Sequence, residues 1–282
     1  MTGEVIRVSR SWLALREPAD AAARARDLVD RLARQATGRW VIHDLGAGTG
    51  AMGRWLAPLL PGPQHWIVHD RDADLLEVAA GELPGPAANG AAVSVEPRHS
   101  DITRLDPGDL AAATLITASA LLDLLTEDEL RGLVTVCAGA GCPVLLTLSV
   151  VGRVSLAPPD RLDHRVAAAF DAHQRRETER GRLLGPDAVE LAVAEFGRLG
   201  AGVLVRASPW RLGASQADLA AEWFTGWVGA ACEQDVELVA EADVYARRRL
   251  AQAAAAQLAV TVDHADLLVL PGQSVQNRGD SA

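Results

Sequence analysis

Between residues 40 and 150 the sequence alternates short apolar runs with helix-forming segments, and this alternation restricts the fold more than any other feature. Trp40-Val41-Ile42 runs toward Asp44, His65-Trp66-Ile67-Val68-His69 ends at Asp70, and Val93-Ser94-Val95-Glu96 continues to Ser100-Asp101. Leu115-Ile116-Thr117-Ala118 and Val144-Leu145-Leu146-Thr147-Leu148 complete the series. Each run is too short for a buried helix, and breakers such as Pro61-Gly62-Pro63 separate the helical segments between them. The pattern predicts buried parallel strands with helices on both faces, an α/β, Rossmann-like, doubly wound sheet.

The flanks are less regular. Residues 1–18 read as an irregular arm carrying Trp12 and Arg16, and helical spacing follows from Pro18 to about Thr37. Residues 151–183 are rich in proline and charge and read as a loop plus one helix. A helix from Gly185 to about Leu199, a strand at Val203–Arg206, a helical block over 215–258 and a last strand at Ala259–Leu270 follow. The tail after Pro271 has the composition of a disordered segment. One domain over 1–282 is expected: arm and helix to 38, a ligand-binding half over 39–150, and helical cap insertions at 151–183 and 211–258.

Bulk properties exclude several function classes. The net charge of −10 disfavours a broad phosphate-binding face, so no nucleic-acid partner is expected. All 27 basic residues counted as lysine or arginine are arginines. That removes a Walker lysine, a Schiff-base lysine and a kinase-type lysine. Cys137, Cys142 and Cys232 form no C-x-x-C pair and read as small apolar residues, so no metal site is expected. No apolar run reaches membrane-span length and the N-terminus lacks the apolar block of a secretion signal. A cytoplasmic protein without a membrane partner is expected.

The ligand clue is the turn after the first strand, Asp44-Leu45-Gly46-Ala47-Gly48-Thr49-Gly50-Ala51-Met52-Gly53. From Gly48 it spells G-x-G-x-x-G, a dinucleotide fingerprint that with Asp70 would fit an NAD(P)-dependent oxidoreductase. From Asp44 it is an acid followed by glycines at alternate positions. An acid there faces a pyrophosphate unfavourably, but suits a ligand with an ammonium or sulfonium charge.

Read from Asp44, the segment resembles motif I of the class I S-adenosylmethionine-dependent methyltransferases, of the small-molecule type. The resemblance extends over roughly residues 40–150. It implies that Asp70, with Arg71 beside it, grips the ribose. Asp101 and Ile102 receive and cover the adenine, and Ser119-Ala120 line the methionine side. Asp44, Gly46, Ala47, Gly48 and Gly50 form the turn itself, and Arg16 is a candidate for a carboxylate of cofactor or acceptor. The family closes its seven-stranded, mostly parallel sheet with an antiparallel last strand, and Val203–Arg206 with Ala259–Leu270 suit the final pair. The resemblance implies S-adenosyl-L-methionine as cofactor, S-adenosyl-L-homocysteine as product, and methyl transfer to O, N or C.

The acceptor side rests on individual residues. The segment after the fourth strand lacks the Asn/Asp-Pro-Pro-Tyr/Phe motif, and there is no Pro-Cys nucleophile. A small-molecule acceptor is therefore expected. His173 and His164 are candidate general bases because imidazole titrates near neutrality. The chain has eleven aromatic residues (seven Trp, one Tyr, three Phe), and Trp210, Trp223, Phe224 and Trp227 lie close in sequence. Trp12, Trp210, Arg211, Trp223 and Trp227 are candidate acceptor contacts, with core packing the alternative for the helical tryptophans. A non-catalytic cofactor-binding protein, and assembly as a homodimer, are compatible with the same residues.

Overall fold

A computed structural model describes residues 8–34, 38–82 and 85–272. Most of the tail after Pro271, the first seven residues and the helix ends expected at Thr37 and Leu83 lie outside them. The sheet runs in the order β3-β2-β1-β4-β5-β10-β8. Its strands are β1 (Trp40–Leu45), β2 (Gln64–Asp70), β3 (Val93–His99), β4 (Leu115–Ser119), β5 (Val144–Ala157), β8 (Gly202–Ala207) and β10 (Ala259–Leu270). Strand β10 is antiparallel to both neighbours, whereas β1 to β5 pair in parallel. This is the seven-stranded doubly wound sheet with an antiparallel last strand expected from the sequence.

Adjacent strand residues divide between two cores, as strand periodicity requires. Ile42, Leu115, Leu145 and Leu268 pack against α2 (Arg26–Ala33), α3 (Ala51–Leu56) and α4 (Ala73–Gly81) through Leu32, Met52 and Leu76. Leu45, Ile116, Leu146 and Leu267 pack on the other face against α5 (Glu127–Gly139) and α7 (Ala188–Arg198). Pro97 lies in the edge strand β3, where a missing backbone donor is tolerated.

Four parts of the chain differ from the sequence reading. The arm is a helix, α1 (Arg10–Ala23), which Ser9 caps by accepting the Trp12 N–H at 3.1 Å. Pro18 sits inside α1 instead of starting it, because the apolar residues Trp12, Leu15, Ala19 and Ala23 pack on the cap core. The chain then breaks at Arg24-Ala25, where the Ala25 N–H is taken by Asp266 at 2.8 Å. Residues 151–157 are strand, since Val154, Ser155, Leu156 and Ala157 pair with the first residues of β10. A hairpin, β6 (Glu177–Thr178) with β7 (Gly181–Arg182), and a short eighth sheet strand, β9 (Trp210–Leu212), were not anticipated.

The long strands β5 and β10 thus carry the sheet past its other strands. On this extension α6 (Asp163–Gln174), α8 (Ala217–Gln234), α9 (Val239–Ala254) and β9 build a third core around Leu156, Trp210, Phe224, Trp227 and Tyr245. Among the described residues, no helix is long and apolar enough to cross a membrane.

Candidate active site

Strand order reverses between β1 and β4, and the crevice at their carboxyl ends is where doubly wound sheets bind ligands. The glycine turn sits there. Gly46, Gly48 and Gly50 have φ of +66°, +54° and +83°, so all three alternate glycines take the left-handed conformation. The fingerprint starting at Gly48 leaves Gly46 unused, whereas the pattern starting at Asp44 uses all three. Gly53 is a buried residue of α3.

Asp44 ends up beneath this turn, 1% exposed. Its Oδ1 accepts the Thr117 hydroxyl at 2.7 Å, and its Oδ2 has no partner among the described residues. Burial pushes the carboxyl up to about 7, opposed by the Thr117 hydrogen bond and the Arg24 charge. Asp70 holds the turn from the side: its Oδ2 accepts the Gly48 N–H at 2.8 Å and its Oδ1 the Asp72 N–H at 3.0 Å. The Ala47 N–H donates to the His69 carbonyl at 2.9 Å. Arg71 is exposed beside Asp70, and its carbonyl lies 2.9 Å from His99 Nε2.

At the end of β3, Asp101 caps a short turn by accepting the Thr103 N–H and hydroxyl at 3.0 and 2.7 Å. Burial works to raise its carboxyl, but these bonds and Arg104 hold it below the usual range. Ile102 is half-buried against the α5 core. At the end of β4, Ser119 accepts from Arg24 Nη2 at 3.0 Å. Ala120 takes φ +51°, a strained conformation for a residue with a Cβ. Its N–H is held by the Thr147 carbonyl at 2.9 Å, and Leu121 folds back so that a Cβ on Gly46 would lie 3.1 Å away.

Helix α1 crosses this end of the sheet. Leu13 approaches Gly48 so closely that a Cβ there would lie 3.3 Å from its Cδ1. Glu17 pairs with Arg54 of α3 at 2.6 Å, and Arg54 Nη1 donates to the Thr49 carbonyl. On another side of α1, the Arg16 guanidinium lies over the rings of Trp12 and Trp210, 5.9 and 4.9 Å from their centroids. Arg16 also binds Asp20 at 2.9 and 3.2 Å, and Asp20 accepts the Trp210 N–H at 2.9 Å. His264 meets Trp210 edge-on, and burial pushes its imidazole down to about 4.

The structure therefore gathers Asp44, Gly46, Ala47, Gly48, Gly50, Asp70, Asp101, Ile102, Ser119 and Ala120 at the carboxyl ends of adjacent strands. Trp12, Arg16 and Trp210 form a second group under α1. The other candidates stand apart. His173 Nε2 is 3.0 Å from the exposed Glu233. His164 lines a depression of about 470 Å³ with Ser155, Asp171, Thr261 and Asp263. Those strand residues alternate with Leu156, Val260 and Val262 of the cap core, so the depression lies on the opposite face of the extension. Arg211 is exposed, Trp227 is 1% exposed within the cap core, and Trp223 stacks on it at 5.2 Å. Trp227 is part of the cap core and Trp223 is half-buried against it.

Two residues not singled out from sequence belong to the site. Arg24, 3% exposed, reaches Ser119 at the end of β4 and Thr147 beside it on β5. Asp123, half-buried after β4, receives only its own backbone N–H among the described residues. Burial raises its carboxyl, opposed by Arg16 and Arg176. Asp123 closes the segment from Thr117 whose start the sequence already points to, but an acid four residues beyond a strand end is a common pattern and does not stand out there. Among the described residues no cluster of His, Cys, Asp or Glu is suited to a metal ion.

The sequence matches no protein-family model and no curated protein. Among solved structures it is similar to a methyltransferase from Geobacter sulfurreducens described in complex with S-adenosyl-L-homocysteine (15% identity, TM-score 0.45, covering 95% of this chain and all of that one). A methyltransferase from Thiobacillus denitrificans, described with the same compound, gives 14% identity and TM-score 0.45 over 94% of this chain and all of the other. A cyclopropane synthase from Mycobacterium tuberculosis gives 12% identity and TM-score 0.49 over 93% and 94%.

Proposed function

We propose that this chain is a class I S-adenosylmethionine-dependent methyltransferase acting on a small molecule. The observation that carries the reading is the glycine turn at the strand-order reversal. A buried acid with an unengaged oxygen is followed by three left-handed glycines, and Asp70 pins the middle one. An orphaned carboxylate oxygen under the turn fits a ligand that brings positive charge and does not fit a pyrophosphate.

When bound, S-adenosylmethionine supplies a methyl group on a sulfonium sulfur, open to in-line displacement. The chain's own contribution is placement. Asp70 would take the ribose hydroxyls, Asp101 and Ile102 the adenine, and the Ser119-Ala120 backbone would border the methionine end. Helix α1 roofs the turn and excludes water, which favours a fixed approach of the acceptor. Asp123 lies within electrostatic reach of Arg16 and Arg176, and burial raises its carboxyl against them. Where the acceptor gives up a proton on methylation, Asp123 is our candidate to receive it, ahead of His164 and His173.

Thermal denaturation with added S-adenosylhomocysteine or NAD tests the reading. Ligand at a hundred times its Kd stabilises a folded protein by about 2.7 kcal/mol. Stabilisation by S-adenosylhomocysteine alone is expected. Stabilisation by NAD alone would replace this reading with an oxidoreductase.

A further inference from the structure

The polar residues beneath the glycine turn form one row across the sheet. Asp44 on β1 is the register partner of Thr117 on β4, and Ser119, two residues further along β4, is the partner of Thr147 on β5. Residues two apart on a strand share a face, so the four side chains lie on the side covered by α2 and α3. Arg24, at the break between α1 and α2, enters from above. Its Nη2 donates to Ser119 at 3.0 Å, its Nε to Thr147 at 3.4 Å, and its guanidinium lies over the Trp55 ring at 5.0 Å. Its Nη1 has no partner among the described residues.

A buried guanidinium is costly without a countercharge. Three carboxylates lie near it. Asp20 is engaged by Arg16 and Trp210. Asp266, on β10, accepts the Ala25 and Leu148 N–H groups at 2.8 Å each and the Ser208 hydroxyl at 2.5 Å. Asp44 keeps one oxygen unengaged, as Arg24 keeps one nitrogen. The unmatched charges of the row are therefore Arg24 and Asp44.

We propose that Arg24 is a positioning residue that holds Asp44 in its anionic form beneath the cofactor turn, and so sets the pH range in which the cofactor binds. The inference rests on the methyltransferase reading. Other groups facing Asp44 are Thr117, which favours the anion by donating, and Asp70, whose like charge opposes it. Arg16, Asp20 and Asp266 act on Arg24 from α1 and β10. Burial drives Asp44 toward its neutral form against Thr117 and Arg24, with a net midpoint at about 7, so losing the Arg24 charge has a visible effect at neutral pH.

Calorimetric titration with S-adenosylhomocysteine across a pH series tests this. Affinity in the unaltered protein should fall about tenfold for each pH unit below the Asp44 midpoint. Arg24→Gln should move that fall upward by about one unit or more, and Arg24→Lys should restore it. Asp44→Asn should bind weakly and without the pH dependence, and it serves on its own if Arg24→Gln does not fold. An unshifted profile in folded Arg24→Gln, or a pH dependence retained in Asp44→Asn, overturns the proposal. Failure of the unaltered protein to bind S-adenosylhomocysteine at any pH would instead defeat the methyltransferase reading.

Discussion

The two ends of β5 and β10 support different kinds of structure. At the ends next to β4 and β8, the sheet carries charged and strained groups: Asp44, Asp70, Ala120, Arg24 and Asp266. At the far ends, the same strands carry the cap, where Trp227, Phe224 and Tyr245 pack in a dense aromatic core. Most of the polar groups on the first side are buried at a free-energy cost, while the second buries mainly apolar surface with a gain, its buried Arg249 being paired with Asp163. The contrast separates residues kept for binding from residues kept for folding, and each region answers differently to substitution.

The largest expected effect lies in the cap. Trp227→Ala removes a ring stacked between Trp223 and Phe224 and should cost about 3–5 kcal/mol of stability in denaturant unfolding. S-adenosylhomocysteine affinity of the folded variant should be unchanged, and a parallel loss of affinity would put Trp227 in the site. Asp70→Ala should do the converse. Losing about two charge-assisted hydrogen bonds weakens S-adenosylhomocysteine roughly a hundredfold. Calorimetry that found affinity barely altered would move the ribose contact elsewhere.

Acidification probes both regions at their boundary. His43, His69 and His264 are all pushed by burial from 6.5 down to about 4. The unfolded chain takes up protons on these histidines below pH 6.5 that the folded chain refuses until about 4. Their contribution to stability should therefore fall with pH across that window, while the raised Asp44 carboxyl works in the opposite direction. His264→Phe keeps the edge contact with Trp210 and should lessen the slope in denaturant midpoints measured against pH. An unchanged slope would mean His264 is protonated in the folded state. The smallest effect is expected for His173→Ala, whose partner Glu233 is exposed. Its stability should change by less than about 0.5 kcal/mol and its cofactor affinity not at all.

How much of this was legible in the sequence follows the same division. The strands of the ligand-binding half and the glycine turn are encoded locally, as apolar runs ending at Asp44, Asp70 and Ser119, so periodicity and spacing suffice to find them. The cap is encoded by contacts distant in sequence. Residues 151–157 look like loop until β10 is beside them, and Pro18 looks like a helix start until α1 packs on β9. Trp223 and Trp227 have the spacing of a ligand-facing stripe and of a core stripe alike. Arg24 sits in an alanine-rich stretch where only the fold reveals that Ser119 and Thr147 await it.

The most direct test of the account is a crystal structure with S-adenosylhomocysteine bound. The account predicts adenosine between Asp70 and Ile102, with its ribose on Asp70, and the sulfur near Ser119-Ala120 under α1. Adenosine bound with its ribose away from Asp70, on the Arg98 and Arg104 side of the depression of about 570 Å³ that these residues line with Asp101, would contradict it.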